Sequence, residues 1–114
     1  MGHGKLVRDK IPGIIRSKGQ NPMVYTASVE EYGTWLRDKL QEEVADFIAS
    51  DSNPQGLADI LEVLYALAEQ VGTDRQQLEE LRAVKAEERG GFAGRLIWSG
   101  NREEIPEPWA KDAF

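Results

Sequence analysis

Apolar residues recur at helical spacing through most of this chain, and short clusters of turn-forming residues separate the runs. Between residues 29 and 49, Leu36, Leu40, Val44, Phe47 and Ile48 gather on one face of a helix, with charged residues around the rest. Just ahead stands Ser28-Val29-Glu30-Glu31, which has the form of a capping box: a serine that accepts from the first turn and a glutamate that reaches back to it. The break Ser50-Asp51-Ser52-Asn53 leads into Pro54, a residue suited to a first helical turn. A second helix over 54–71 then directs Leu57, Ile60, Leu61, Leu64, Leu67 and Val71 toward a core, and Gly72 ends it. So short a connection makes the two helices antiparallel neighbours. Asp59, Glu62 and Ala66 share the other side of the second helix, where the alanine leaves room for something to approach.

The remaining segments are shorter. Pro12 to Lys18 reads as a brief helix stopped by Gly19, and Asn21 to Thr26 as a connector that is extended at Val24-Tyr25. Thr73 with Gln76 predicts the start of a third long helix, which runs to Arg89 and halts at Gly90-Gly91. Phe92 to Trp98 reads as extended, and the tail 99–114, with Pro106 and Pro108, as irregular. The expected fold class is therefore all-α: an antiparallel helical bundle with short extended segments near the N-terminus and after residue 91. At 114 residues it is expected to be a single domain over 1–114, with its core in about 5–97. Three moderate helices contain a limited core, and the second is apolar around much of its girth. A second copy would cover that surface, so at least a homodimer is expected.

Composition narrows the class of protein. Hydrophobic content of 40% with 30% charged residues describes a globular chain. The longest apolar run, Leu64 to Ala68, is too short to span a bilayer, so no membrane partner is expected. The absence of cysteine and of a signal-peptide pattern fits a cytoplasmic setting. The net charge of −6 is unevenly spread. Residues 1–20 carry Lys5, Arg8, Lys10, Arg16 and Lys18 against Asp9, whereas residues 30–69 carry ten acids against Arg37 and Lys39. An acidic centre of that kind repels a nucleic-acid polymer but suits a small phosphate ligand held between cation-loaded acids and a basic arm.

The chemistry-bearing residues lie in that centre. Glu43 and Asp46, with Glu42 beside them, and Asp59 and Glu62 form two acidic pairs at i,i+3, each projecting from one side of its helix. Solvated acidic faces are common, but neither pair has a lysine or arginine at the following i+4 position, and like charges so placed cost a few tenths of a kcal/mol each, about 0.2–0.5. Two such helices packed together offer oxygen ligands suited to Mg²⁺ or Mn²⁺. Lys85 and Arg89 share a helix face before two glycines, where they either grip phosphate or simply favour the helix C-terminus. The alternation Lys5-Leu6-Val7-Arg8-Asp9-Lys10 reads either as a docking arm or as a phosphate grip. His3 is the sole histidine and sits in a glycine-flanked terminus that reads as mobile. That argues against a Ser-His-Asp mechanism and against a histidine zinc site.

Taken together, Lys5-Leu-Val-Arg-Asp-Lys-Ile-Pro12, Glu42-Glu43-Val-Ala-Asp46, Leu57-Ala-Asp59-Ile-Leu-Glu62-Val and Lys85 through Phe92 resemble the MazG-like all-α nucleotide pyrophosphohydrolases, in the branch similar to phosphoribosyl-ATP pyrophosphohydrolase. The resemblance implies a Mg²⁺-dependent cleavage of a nucleoside triphosphate, or a related nucleotide, between the α- and β-phosphates. It places Glu43 and Asp46 in the first metal motif and Asp59 at the close of the second, with Glu62 one turn on. Glu42 or Glu43 is the candidate base, and Lys5, Arg8, Lys10, Lys85 and Arg89 are the candidate phosphate contacts. The chain departs from the pattern at Gly56, where the family has the leading glutamate of its second motif, and at Asp46, where it has a longer acid. Those departures motivate the alternative of a non-catalytic helical dimer that binds a nucleotide or a partner and has lost turnover.

Overall fold

The computed structural model describes residues 4–102, so His3, Pro106, Pro108 and the rest of the tail from 103 lie outside the described residues. Four helices follow one another: α1 (Ile11–Ser17), α2 (Val29–Ala49), α3 (Pro54–Gln70) and α4 (Arg75–Arg89). No strand occurs among the described residues, as an all-α chain requires. The chain divides into two compact units, one running to Arg75 and the other beginning at Gln76.

Local chemistry sets the helix ends of the first unit. Ser28 Oγ accepts from Glu31 N at 3.1 Å while Ser28 N donates to Glu31 Oε1 at 2.9 Å, so the predicted capping box starts α2 at Val29. Asn53 Oδ1 accepts from Gln55 N at 3.0 Å and Pro54 opens α3, satisfying one orphan N–H and removing another. α1 and α3 close alike. Gly19 and Gly72 adopt φ of +83° and +89°, which lets Gln20 N donate to Ile15 O and Thr73 N to Ala68 O in Schellman turns. In the α2–α3 link Asp51 and Ser52 also take positive φ, 57° and 74°, and this left-handed pair reverses the chain within four residues.

α2 and α3 pack against each other as antiparallel neighbours. Near the link, Gly56 lies against Phe47; at the far end, Gly33 lies against Gln70. Gly56, Val63 and Gln70 are spaced by seven residues, so the stripe of α3 that meets α2 runs along one face. The buried apolar residues are Leu36 of α2 and Val63 and Ala68 of α3.

This register corrects the expected core. Leu57, Leu61, Leu64 and Val71 of α3, and Val44 and Ile48 of α2, are exposed. The reason is geometric: α3 is apolar around more of its circumference than a single neighbouring helix can cover. The limits of the elements also move slightly. α1 begins and ends one residue earlier than the Pro12–Lys18 reading, and Asp74 rather than Thr73 stands immediately before α4. In the second unit, α4 ends at Gly90 (φ +86°), and Phe92 to Arg95 forms a turn closed by Arg95 N donating to Phe92 O at 3.1 Å. No helix among the described residues is long and apolar enough to cross a membrane.

Candidate functional site: an acidic face bridged by a basic arm

The acids of α2 converge as their spacing requires. Glu42, Glu43 and Asp46 each offer a carboxylate oxygen within 4.8 Å of the others, because Asp46 lies one turn beyond both glutamates. Glu42 and Glu43 are half-buried and Asp46 is exposed, so the cluster opens to solvent at its Asp46 end.

Four ion pairs bind this face to cations. Lys39 Nζ stands 3.0 Å from Glu42 Oε2 and 3.1 Å from Glu43 Oε1, serving both because it precedes them by three and four residues. Lys5 Nζ reaches from the N-terminal arm to Glu42 Oε1 at 3.0 Å. Three residues on, Arg8 donates to Asp59 Oδ1 on α3 at 2.8 Å. One short arm thus touches the acids of two different helices. Between its two contacts Leu6 and Val7 are half-buried, and Gly4 lies against the indole of Trp35.

The charges respond to these contacts. The hydrogen bond from Lys39 holds the Glu42 carboxyl below its usual range, against the opposing effect of burial, and Lys5 adds to the effect. Burial works against the Lys39 ammonium, but its bonds to Glu42 and Glu43 outweigh that and raise it above the ordinary lysine value.

Lys39 changes the picture drawn from spacing alone. The expectation of unscreened acids looked only toward the following i+4 positions, whereas the supporting cation precedes Glu42 and Glu43. Its signal was present in the sequence as Lys39-x-x-Glu42-Glu43. Glu42, Glu43, Asp46 and Asp59 carry four negative charges and Lys5, Arg8 and Lys39 three positive ones, leaving one negative charge. An all-oxygen donor set of this kind suits a hard cation.

The other predicted residues are placed as follows. Asp59 and Glu62 stand outside the α2 cluster, Asp59 engaged by Arg8 and Glu62 exposed on α3. Lys10 precedes α1, where its carbonyl accepts from Ile14 N at 3.1 Å, and its side chain is exposed. Lys85 and Arg89 lie one turn apart on α4 in the second unit, both exposed. Gly56, at the position that departs from the family pattern, has no room to spare. A Cβ there would come within 3.1 Å of Phe47 Cδ1 and 3.3 Å of Phe47 Cβ.

Comparison with known proteins gives one relative. An uncharacterized protein of Mycolicibacterium smegmatis is 45% identical over 53 residues, 46% of this chain and 54% of the relative. The chain thus matches about half the length of that relative. No family model matches, and no solved structure matches.

Proposed function

We propose that this chain is a Mg²⁺-dependent nucleotide pyrophosphohydrolase of the MazG-like kind, acting on a (d)NTP or related nucleotide. The observation that carries the reading is the basic arm that bridges the convergent carboxylates of α2, through Lys5 and Glu42, to Asp59 of α3, through Arg8. Water would add across the bridge between the α- and β-phosphates, giving a nucleoside monophosphate, pyrophosphate and a proton. A bound divalent cation supplies charge neutralisation for the phosphoryl oxygens and lowers the pKa of water. Glu43, Asp46, Asp59 and Glu62 would hold it, while Glu42 or Glu43 accepts the proton from the attacking water. Lys5 and Arg8, already beside the acids, are suited to phosphate oxygens, as is Lys10 by its charge. Such transfer needs mainly positioning and electrostatic stabilisation, which fixed carboxylates and guanidinium groups provide. We further propose that a second copy of the chain covers the apolar side of α3, and that the protein works in the cytoplasm.

Incubation of the purified protein with a panel of NTPs and dNTPs plus Mg²⁺ tests this. Pyrophosphate should appear with at least one member and disappear in Glu43→Gln and Asp59→Asn. Absence of pyrophosphate across the panel, with Mg²⁺ binding unaltered in Glu43→Ala, would sink the proposal.

The tight packing of Gly56 on Phe47 favours a second reading, in which the chain binds a nucleotide or partner as a helical dimer without turnover. An acid at 56 is not merely missing; the helix contact takes its place. Calorimetric nucleotide binding in Mg²⁺ with no product after prolonged incubation distinguishes that reading, and turnover abolished by Asp59→Asn excludes it.

A further inference from the structure

The link between α2 and α3 is held in a strained conformation, and the bonds around it do not depend on that conformation. Asp51 and Ser52 stand side by side at φ of 57° and 74°, in the left-handed region where a Cβ crowds the following carbonyl oxygen. Glycine enters that region freely, yet neither position has one. The hydrogen bonds at the link belong to its ends. Ser50 N and Oγ donate to Phe47 O at 3.1 and 2.8 Å and close α2, while Asn53 Oδ1 accepts from Gln55 N at 3.0 Å and opens α3. None of them crosses from one helix to the other, and residues 50–53 are all exposed. We propose that Ser50–Asn53 is a hinge through which two copies of this chain exchange α3, each α2 packing on the partner's α3 as it packs on its own in the single chain.

Opening the hinge lets Asp51 and Ser52 return to extended backbone. Asn53 already has it, at φ −70° and ψ 119°, as a residue before proline prefers. Pro54 keeps the opened link from turning helical, because its ring would meet the carbonyl of Ser50 four residues back, so α2 and α3 separate rather than fuse into one helix. The exchange replaces like with like. Gly56 against Phe47, Gln70 against Gly33 and the bond from Arg8 to Asp59 all re-form between copies, and only the turn changes. A short strained turn between otherwise unchanged contacts is the circumstance that invites swapping. Each exchanged pair relaxes two such turns and loses the freedom of one chain, so concentration favours it. Because α3 must first leave α2, the exchange is slow and belongs to refolding at high concentration, where closure within a chain competes with closure between chains. It requires no contact along the outer side of α3 and no bound ligand.

The chain has no cysteine, and a Cβ at position 56 would lie 3.3 Å from Phe47 Cβ, close to the separation that a disulfide requires. Phe47→Cys/Gly56→Cys therefore reads the exchange directly. It is made in a Leu61→Glu background, so that the exposed leucine row does not hold copies together, refolded from urea at micromolar or millimolar concentration, and oxidised. A closed chain bonds to itself and runs as one chain on a denaturing gel; an exchanged pair runs as two. The covalent dimer should be prominent only at the higher concentration, and adding Asp51→Gly/Ser52→Gly, which relaxes the closed turn, should lower it several-fold. Either cysteine alone should give none. Light scattering of Leu61→Glu with Phe47 and Gly56 intact, refolded in the same way, checks the result without a disulfide: a dimer that persists on dilution should form, several-fold scarcer with the glycine pair. No covalent dimer and no persistent dimer at any concentration, equal amounts with and without the glycine pair, or equal amounts from the single cysteines would overturn the exchange.

Discussion

Lys39 sets the charge that the acids of α2 present, since its ammonium lies 3.0 Å from Glu42 and 3.1 Å from Glu43 while only 16% of its side chain is accessible. Replacing it with methionine leaves Glu42 and Glu43 adjacent, with Asp46 one turn on. A cost of about 1 kcal/mol in urea unfolding at pH 7 is expected for a partly exposed pair of this kind. Its pH dependence has a definite sign. Glu42 titrates below its ordinary 4.5, so its contribution is complete above that value and is lost as pH falls through the lowered one. Lys39 titrates above its ordinary 10.5, so its share is complete below 10.5 and is lost as pH rises through the raised value. The difference between parent and Lys39→Met should therefore be flat from about pH 5 to 10 and shrink below pH 4.5. A difference that grows on acidification would contradict the pairing. Gly56 makes a second residue-level case. Glycine to alanine inside a helix ordinarily stabilises by about 1 kcal/mol, but here the added Cβ meets Phe47 at 3.1–3.3 Å. Gly56→Ala should gain much less than that, and Gly56→Glu should lose about 1–3 kcal/mol through forced repacking. A full gain for alanine in chemical denaturation would show that the helix contact has slack.

At the scale of elements, caps rather than propensities fix where α2 and α3 begin. The Ser28–Glu31 box is reciprocal, with bonds of 3.1 and 2.9 Å, and it sits at the start of the 21-residue α2 that carries the acids. Ser28→Ala should cost about 1 kcal/mol and appear as faster amide exchange in the first turn of α2. Unchanged stability would mean that packing, not the box, sets that end. These elements were legible because their signals are local: Ser28-x-x-Glu31, Asn53-Pro54 and Gly72 lie within a turn of the ends they create. The spacing of Glu42, Glu43 and Asp46 was legible for the same reason, being a property of one helix. What escaped depends on contacts distant in sequence. The pairing of Arg8 with Asp59 spans 51 residues, and no periodicity encodes it. The covered side of α3 was misjudged because a helix apolar around most of its girth gives no instruction as to which stripe a single partner takes. Gly56, read first as a missing acid, proved to be the point where the two helices come close.

For the whole molecule the unsettled surface is the apolar side of α3. Leu57, Leu61, Leu64, Ala68 and Val71 step along the helix by four, three, four and three residues, the spacing of a seam between packed helices. Ala68 is buried, but Leu57, Leu61, Leu64 and Val71 remain between 37% and 65% exposed. Four large aliphatic side chains in one row favour association, because each buried from water contributes roughly 1.5–3 kcal/mol before the cost of ordering two chains. A second copy laying the same row against it would form a symmetric seam in which each leucine meets its counterpart or a near neighbour. Light scattering should accordingly give twice the 12.8 kDa chain mass at micromolar concentration, with a melting temperature that rises with protein concentration. Leu61→Glu, which places an acid in the middle of the row, should return the mass to that of one chain and remove the concentration dependence, while its exposed position spares the fold of the single chain. A parent that runs as a single chain at high concentration would leave the row without its partner and rule out the seam. If instead Leu61→Glu leaves the dimer intact, the copies meet elsewhere and α3 is not the interface.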